Sequence, residues 1–165
     1  TLAGDSIGKL AAIEDVLFFQ EKDSNTIYDY ILDLDVTSPL RNLEDISNAL
    51  DQLEAEKDAL NIFSVSEANR NPYFNMVEQK ESGYFGLIKS LNKTLLTRQS
   101  SPKVYDLNAS FYIYRRKFFT EGYKGAITDK SLVYLVPHIC FDLDHPIDFD
   151  IMSYLVEKNK LDFKL

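Results

Sequence analysis

The spacing of apolar residues alternates between helical and strand periods over the first 65 residues, and this constrains the fold more than any other feature. Ile7, Leu10, Ile13 and Leu17 recur at helical spacing from Ser6 to about Gln20, with Asp5 or Ser6 placed to cap the start. From Tyr28 to Val36 the period falls to two. Tyr30, Leu32, Leu34 and Val36 share one face; Asp29, Asp33 and Asp35 share the other, with Ile31 among them. Thr37-Ser38-Pro39 then ends the strand. Asn42 reads as a second cap, opening a helix to about Lys57 that buries Leu43, Ile46, Leu50 and Leu53. Asn61 to Val65 is a short strand. Helix, strand, helix, strand predicts an α/β layered domain with a mainly parallel sheet.

The middle of the chain follows another rule. Tyr73 to Gln79 and Tyr84 to Lys89 flank Lys80-Glu81-Ser82-Gly83, a hairpin signal. Arg98 to Asp106 is polar, contains Pro102 and reads as loop. Ser110 to Arg115 and Leu132 to Val136 read as strands. Pro146 opens a final helix with Ile147, Ile151, Tyr154 and Leu155 facing inward. No internal repeat or low-complexity linker interrupts this order, so the 165 residues read as one domain.

Composition then removes classes of function. A net charge of −8 repels phosphate backbones and argues against general nucleic-acid binding. It leaves room for one nucleotide in a local pocket. The single cysteine, Cys140, forbids an intrachain disulfide and fits a reducing cytoplasm. No apolar run approaches the ~18 residues of a membrane span. The first residues, Thr1-Leu2-Ala3-Gly4-Asp5, lack an initiator Met and a signal peptide, and read as an internal start.

Three polar constellations carry chemistry. The first is Asp33 to Arg41. Polar residues between a strand and a helix lie at the carboxyl edge of a parallel sheet, where open α/β folds bind ligands. Ser38 offers a hydroxyl there, and Arg41 a planar fork for phosphate or carboxylate, or simply a surface arginine after a turn. The second is the loop Arg98 to Ser110, with Arg98 and Lys103 as cations and Asn108 as both donor and acceptor. A solvated loop is its plainer reading. The third is Phe141 to Asp148. Asp142 and Asp144, two apart, can point one way and suit Mg²⁺, which takes one or two carboxylates plus substrate phosphates. The same acids can also serve the helix that Pro146 opens. His138 and His145 are too few for a zinc site.

Taken together and in this order, the motifs resemble those of the acylneuraminate cytidylyltransferases, the CMP-sialic acid synthetases and their bacterial relatives. Thr37-Ser38-Pro39-Leu40-Arg41 matches the family's signature residue for residue. Leu2-Ala3-Gly4-Asp5 is similar to a Leu-Ala-x-Asp segment, and Asn108-Ala109 to an Asn-Gly/Ala segment used against the sugar. Asp142-Leu143-Asp144 resembles the Asp-x-Asp metal motif, with Asp148 as the acid four positions on. Many members carry Gln-Pro where this chain has Asp35-Val36, and some sialic acid enzymes have arginine where Asp106 stands. Those departures favour a bacterial relative acting on legionaminic or a similar acid.

The resemblance implies a nucleotide-diphospho-sugar transferase type of fold, with the hairpin at 71–89 as a homodimerisation arm. It implies transfer of CMP from CTP to a nine-carbon sugar acid with release of pyrophosphate. Asp142 and Asp144 would hold Mg²⁺, Arg98 would bind anionic groups, Asn108 would orient the sugar, and Asp35 and Ser38 would floor the pocket, with Arg41 beside them. Family members begin with a strand and a Gly-rich loop that cradles the CTP phosphates. Nothing in these 165 residues matches that loop, so the intact protein is expected to be an enzyme and this stretch alone inactive. The alternative expectation is a non-catalytic binding or interaction protein on the same scaffold.

Overall fold

The computed structural model describes residues 8–91 and 98–165, the side chain of Arg98 excepted. The expectations for Leu2 to Asp5 and the start of the first helix lie outside these residues. The chain divides into two compact units, residues 1–65 with 108–165 and residues 66–107.

The first unit is built on a four-stranded sheet. Its strands are β1 (Tyr30–Leu34), β2 (Asn61–Glu67), β5 (Tyr105–Arg115) and β6 (Ser131–Leu135), in the order β1-β5-β2-β6. β1 pairs antiparallel with β5, and β2 pairs parallel with β6. The Arg115 N–H donates to Leu60 O and the Phe111 N–H to Ser64 Oγ, a descending register that makes β5 antiparallel to β2 as well. The sheet is therefore mixed. β1, β2 and β6 share a direction, and β5 runs against them between β1 and β2. Alternation of apolar residues carries no information on direction or neighbours, which is why the expected mainly parallel sheet missed this strand.

β5 shows why both faces are covered. Phe111 and Ile113 point one way and pack with Ala49 and Leu53 of α2 (Leu43–Ala55), Ile62 and Tyr134. Tyr114 points the other way, against Leu17 of α1 (Lys9–Ser24) and Phe118 and Phe119 of α3 (Arg116–Thr120). Each fully buried side chain such as Leu53 contributes about 1.5–3 kcal/mol of transfer free energy. Asn42 caps α2 as expected. Its side chain accepts from the Asp45 N–H at 2.9 Å, and Asp45 returns a bond to the Asn42 N–H at 3.0 Å. The buried stripe of α2 is Ile46, Ala49, Leu50 and Leu53, whereas Leu43 is 84% exposed. Leu43, the first residue of the helix, turns to solvent, while Asp45 in the same turn is buried.

The last helix, α4 (Pro146–Glu157), departs further from expectation. It turns Met152 inward with Leu155 half-buried, while Ile147, Ile151 and Tyr154 are exposed. Apolar residues lie all around this helix, so their period could not choose a face.

In the second unit β3 (Val77–Gln79) and β4 (Phe85–Leu87) form an antiparallel hairpin, Val77 opposite Leu87. Gly83 closes its loop at φ 83°, a conformation that suits glycine. Before it, Asn71 O receives the N–H groups of Phe74, Asn75 and Met76 and winds that stretch into a turn. Arg98–Ser100 is a single 3₁₀ turn, and the strand expected from Ser110 starts earlier, at Tyr105.

Candidate active site at the end of the first strand

β1 delivers Asp35 just past its last residue. Asp35 Oδ1 accepts from the Thr37 N–H at 3.1 Å and from Thr37 Oγ1 at 2.9 Å, which turns the chain sharply. The Thr37 N–H, then burial acting the other way, then the Thr37 hydroxyl and Lys9 leave the Asp35 carboxyl below its usual range. Lys9 Nζ lies 2.9 Å from Asp33 Oδ2 and 3.2 Å from Asp35 Oδ2. It ties the start of α1 to the acidic face of β1.

Ser38 is fully buried and donates to Asn108 O at 2.6 Å. Ser110 Oγ returns a bond to Ser38 O at 3.0 Å. Asn108 Oδ1 accepts from Ser64 Oγ at 2.6 Å. The loop after β1 is thus stitched to β5 and β2 by buried hydroxyls. Arg41 completes it: its Nη1 lies 2.8 Å from Asp35 O, 2.7 Å from Ser38 O and 2.8 Å from Ser110 O. That nitrogen is a clamp on three carbonyls, which gives the guanidinium a structural task beside the anion-binding one expected of it. Ala109, next to Asn108, sits at φ 51°, a left-handed conformation rare for alanine.

The segment after β6 crosses the same place. The Leu143 N–H donates to Thr37 O at 2.7 Å, and Cys140 Sγ lies 3.8 Å from Ser38 Oγ. Between them is Asp142. Its Oδ1 is buried without a hydrogen-bond partner. Burial pushes its carboxyl above the usual range; Ser38 pulls it down, and Asp144 and Asp35 push it up again. The Ser38 proton, however, is committed to Asn108 O. A buried carboxylate oxygen lacking a donor, with two further carboxylates acting on it, has the chemistry to take a cation. Among the described residues no three His, Cys, Asp or Glu side chains cluster as metal ligands. A two-carboxylate arrangement fits Mg²⁺, which retains waters and shares phosphate oxygens. Asp144 itself is exposed, and Asp148 Oδ2 accepts from the N–H groups of Asp144 and His145 at 3.1 and 2.7 Å.

Asp35, Ser38, Arg41, Asn108 and Asp142 therefore converge, with Asp144 close enough to act on Asp142. Arg98 belongs to the second unit, and its side chain lies outside the described residues. Sequence reasoning missed Lys9, Ser64 and Ser110. The signal for Ser64 was a lone hydroxyl between Phe63 and Val65 in a strand otherwise apolar at its centre. Nothing marked Lys9, an ordinary helix lysine.

Comparison with known proteins decides the family. The chain is 32% identical over 163 residues to the post-translational flagellin modification protein B of Campylobacter coli, covering 99% of this chain and 68% of that protein. It is 35% identical over 160 residues to the CMP-N,N'-diacetyllegionaminic acid synthase of Campylobacter jejuni, covering 97% of this chain and 66% of that one. The chain belongs to the acylneuraminate cytidylyltransferase family. No family model matches it. This family member spans about two thirds of the length of the two relatives. Among its described residues no helix is long and apolar enough to cross a membrane.

Proposed function

We propose that the intact protein transfers CMP from CTP to a nonulosonic acid and releases pyrophosphate. The observation that carries this reading is the buried, unpartnered Oδ1 of Asp142 at the strand-end site of a chain in this family. Asp142 and Asp144 would hold Mg²⁺, which when bound supplies positive charge against the triphosphate. Asp35 would line the pocket floor; Ser38 and Asn108, expected there too, are buried and would support it from behind, with Arg41 fixing the loop between Asp35 and Ser38. Arg98 would meet the anionic groups of the substrate. The scaffold is of the nucleotide-diphospho-sugar transferase type, the protein cytoplasmic, and the hairpin at 71–89 an arm for a homodimer. The Gly-rich phosphate loop of the family is not within these 165 residues. Residues 1–165 alone are therefore expected to leave CTP intact, since phosphoryl transfer depends on that positioning.

The two relatives bear names of flagellin modification and of N,N'-diacetyllegionaminic acid activation. The substrate is therefore sought among bacterial nonulosonic acids. The test is pyrophosphate release by the full-length protein with CTP, Mg²⁺ and a panel of legionaminic, pseudaminic and sialic acids. Release with one acid, dependent on both CTP and metal, supports the reading. No release with any of them overturns it.

A further inference from the structure

The Asp142 segment is held from a distance by a buried pair that the site itself does not include. Residues 136–145 form neither helix nor strand, so discrete contacts must place them. One of these is His138. Its Nε2 lies 2.8 Å from Asp45 Oδ2 in the first turn of α2, and its Nδ1 lies 2.9 Å from Ile139 O. A carbonyl oxygen only accepts, so Nδ1 carries a hydrogen. In a neutral imidazole the other nitrogen is then bare. A bare Nε2 would face a carboxylate oxygen with lone pair against lone pair. Both bonds close only if a second proton sits between Nε2 and Oδ2.

That proton makes the buried pair neutral overall. The two side chains are 4% and 3% exposed, where an uncompensated carboxylate is costly. The Phe163 ring lies parallel to the imidazole at 3.6 Å, and Asp162 accepts from the Ile139 N–H at 3.2 Å. The titratable groups nearby are Asp45 and Glu44 on α2, Tyr134 on β6, Cys140 on the same segment, and Asp162 after α4. Tyr134 donates to Asp45 Oδ1 at 3.3 Å and leaves Oδ2 to the histidine and the Asn42 N–H.

We infer that His138, sharing this proton with Asp45, is a positioning residue that fixes the segment bearing Asp142 against α2. Without the Nε2–Oδ2 bond the segment loses its hold on α2 four residues upstream of Asp142. The consequence for metal binding rests on the function proposed above; the proton and the coupling do not.

The test uses the whole chain labelled with ¹⁵N. The shifts of the two His138 nitrogens report whether each carries a hydrogen, and the amides of Phe141, Asp142 and Leu143 are compared among the unmodified chain, His138→Ala and His138→Gln, with Mg²⁺ affinity measured on each. Expected is a hydrogen on both His138 nitrogens, displaced amides and weaker Mg²⁺ binding in His138→Ala, and partial return of both in His138→Gln, whose amide can still donate to Asp45. The nitrogens of the unmodified chain are read whether or not a variant folds. A His138 with one bare nitrogen beside Asp45, or amides of 141–143 that His138→Ala leaves in place, overturns the inference. Displaced amides without Mg²⁺ binding keep the inference and overturn the metal reading instead.

Discussion

At the scale of single residues, two positions show a cost carried for the site. Ala109 holds φ 51° between Asn108 and Ser110, both tied into the buried hydroxyl network. The left-handed conformation costs a non-glycine residue about 1–2 kcal/mol, and glycine gives back about 0.4–1 kcal/mol through its freer unfolded chain. Ala109→Gly is therefore expected to stabilise by up to about 1.6 kcal/mol. Ala109→Val, β-branched, should destabilise by more than that gain; equilibrium urea unfolding of both variants measures it. Asp142 carries the second cost. Its carboxyl is raised, so its contribution to stability is present below the unfolded value of 3.8 and lost as pH rises through the folded one. Without divalent cations, Asp142→Asn should melt higher than wild type at neutral pH, and the gap should close below that value. With CTP, acceptor and Mg²⁺ in the intact enzyme, the same change should cut turnover by on the order of 100-fold, as loss of several kcal/mol of charge stabilisation implies. A variant that melts lower and turns over normally would make Asp142 a structural acid.

At the scale of elements, one contribution to the acid limb of stability lies where α1 meets α3. Glu21 is buried, and Arg116 grips it through Nε at 2.7 Å and Nη2 at 3.0 Å. Arg116, opposed by burial and aided by the Tyr28 N–H, holds the Glu21 carboxyl below its ordinary 4.5. A depressed carboxylate stabilises above its unfolded value, and that stabilisation is lost as pH falls through the folded one. Melting temperature should therefore drop below pH 4.5, and Glu21→Gln, less stable at neutrality, should show a flatter acid limb over the same range. Equal slopes for both proteins would place the acid sensitivity elsewhere. The elements were readable in the sequence where a local signal fixed them: Asn42 at the start of α2, Pro146 at the start of α4, Gly83 in the hairpin. Convergence at the end of β1 was also readable, because a strand running into Thr37-Ser38-Pro39 must present Asp35 and Ser38 at the sheet edge. What one strand's pattern could not contain was its neighbours. It left the place of β5 open. It left the inward face of α4 open too, and the apolar face of β1 turned out exposed at Leu32 and Leu34 because β1 is an edge strand. Nor could spacing tell whether the Arg41 fork meets a ligand or, as its Nη1 does, the backbone.

At the scale of the whole molecule, the proposed homodimer would need an exposed apolar surface, and two are on offer. The hairpin offers Tyr84 at 79% exposed, Phe85 at 69% and Val77 at 61%. Helix α4 offers Phe149 at 61%, Ile147 at 58% and Tyr154 at 49%. The hairpin has strands of only three residues, and a two-stranded ribbon is marginal without something to pack on. A partner's surface would supply that packing, whereas α4 already seats Met152 in its own unit. Aromatic side chains at the centre of an interface cost about 2 kcal/mol or more each when truncated, roughly thirtyfold in affinity. Tyr84→Ser with Phe85→Ser, present in both copies, should then weaken a homodimer of the intact protein by at least about a thousandfold. Light scattering at micromolar concentration should report a monomer, with the melting transition retained. Ile147→Ser with Phe149→Ser, on α4, should leave the dimer mass unchanged. Dissociation by the α4 pair and not by the hairpin pair would move the interface to the helix. A wild-type protein already monomeric at these concentrations would remove the dimer altogether.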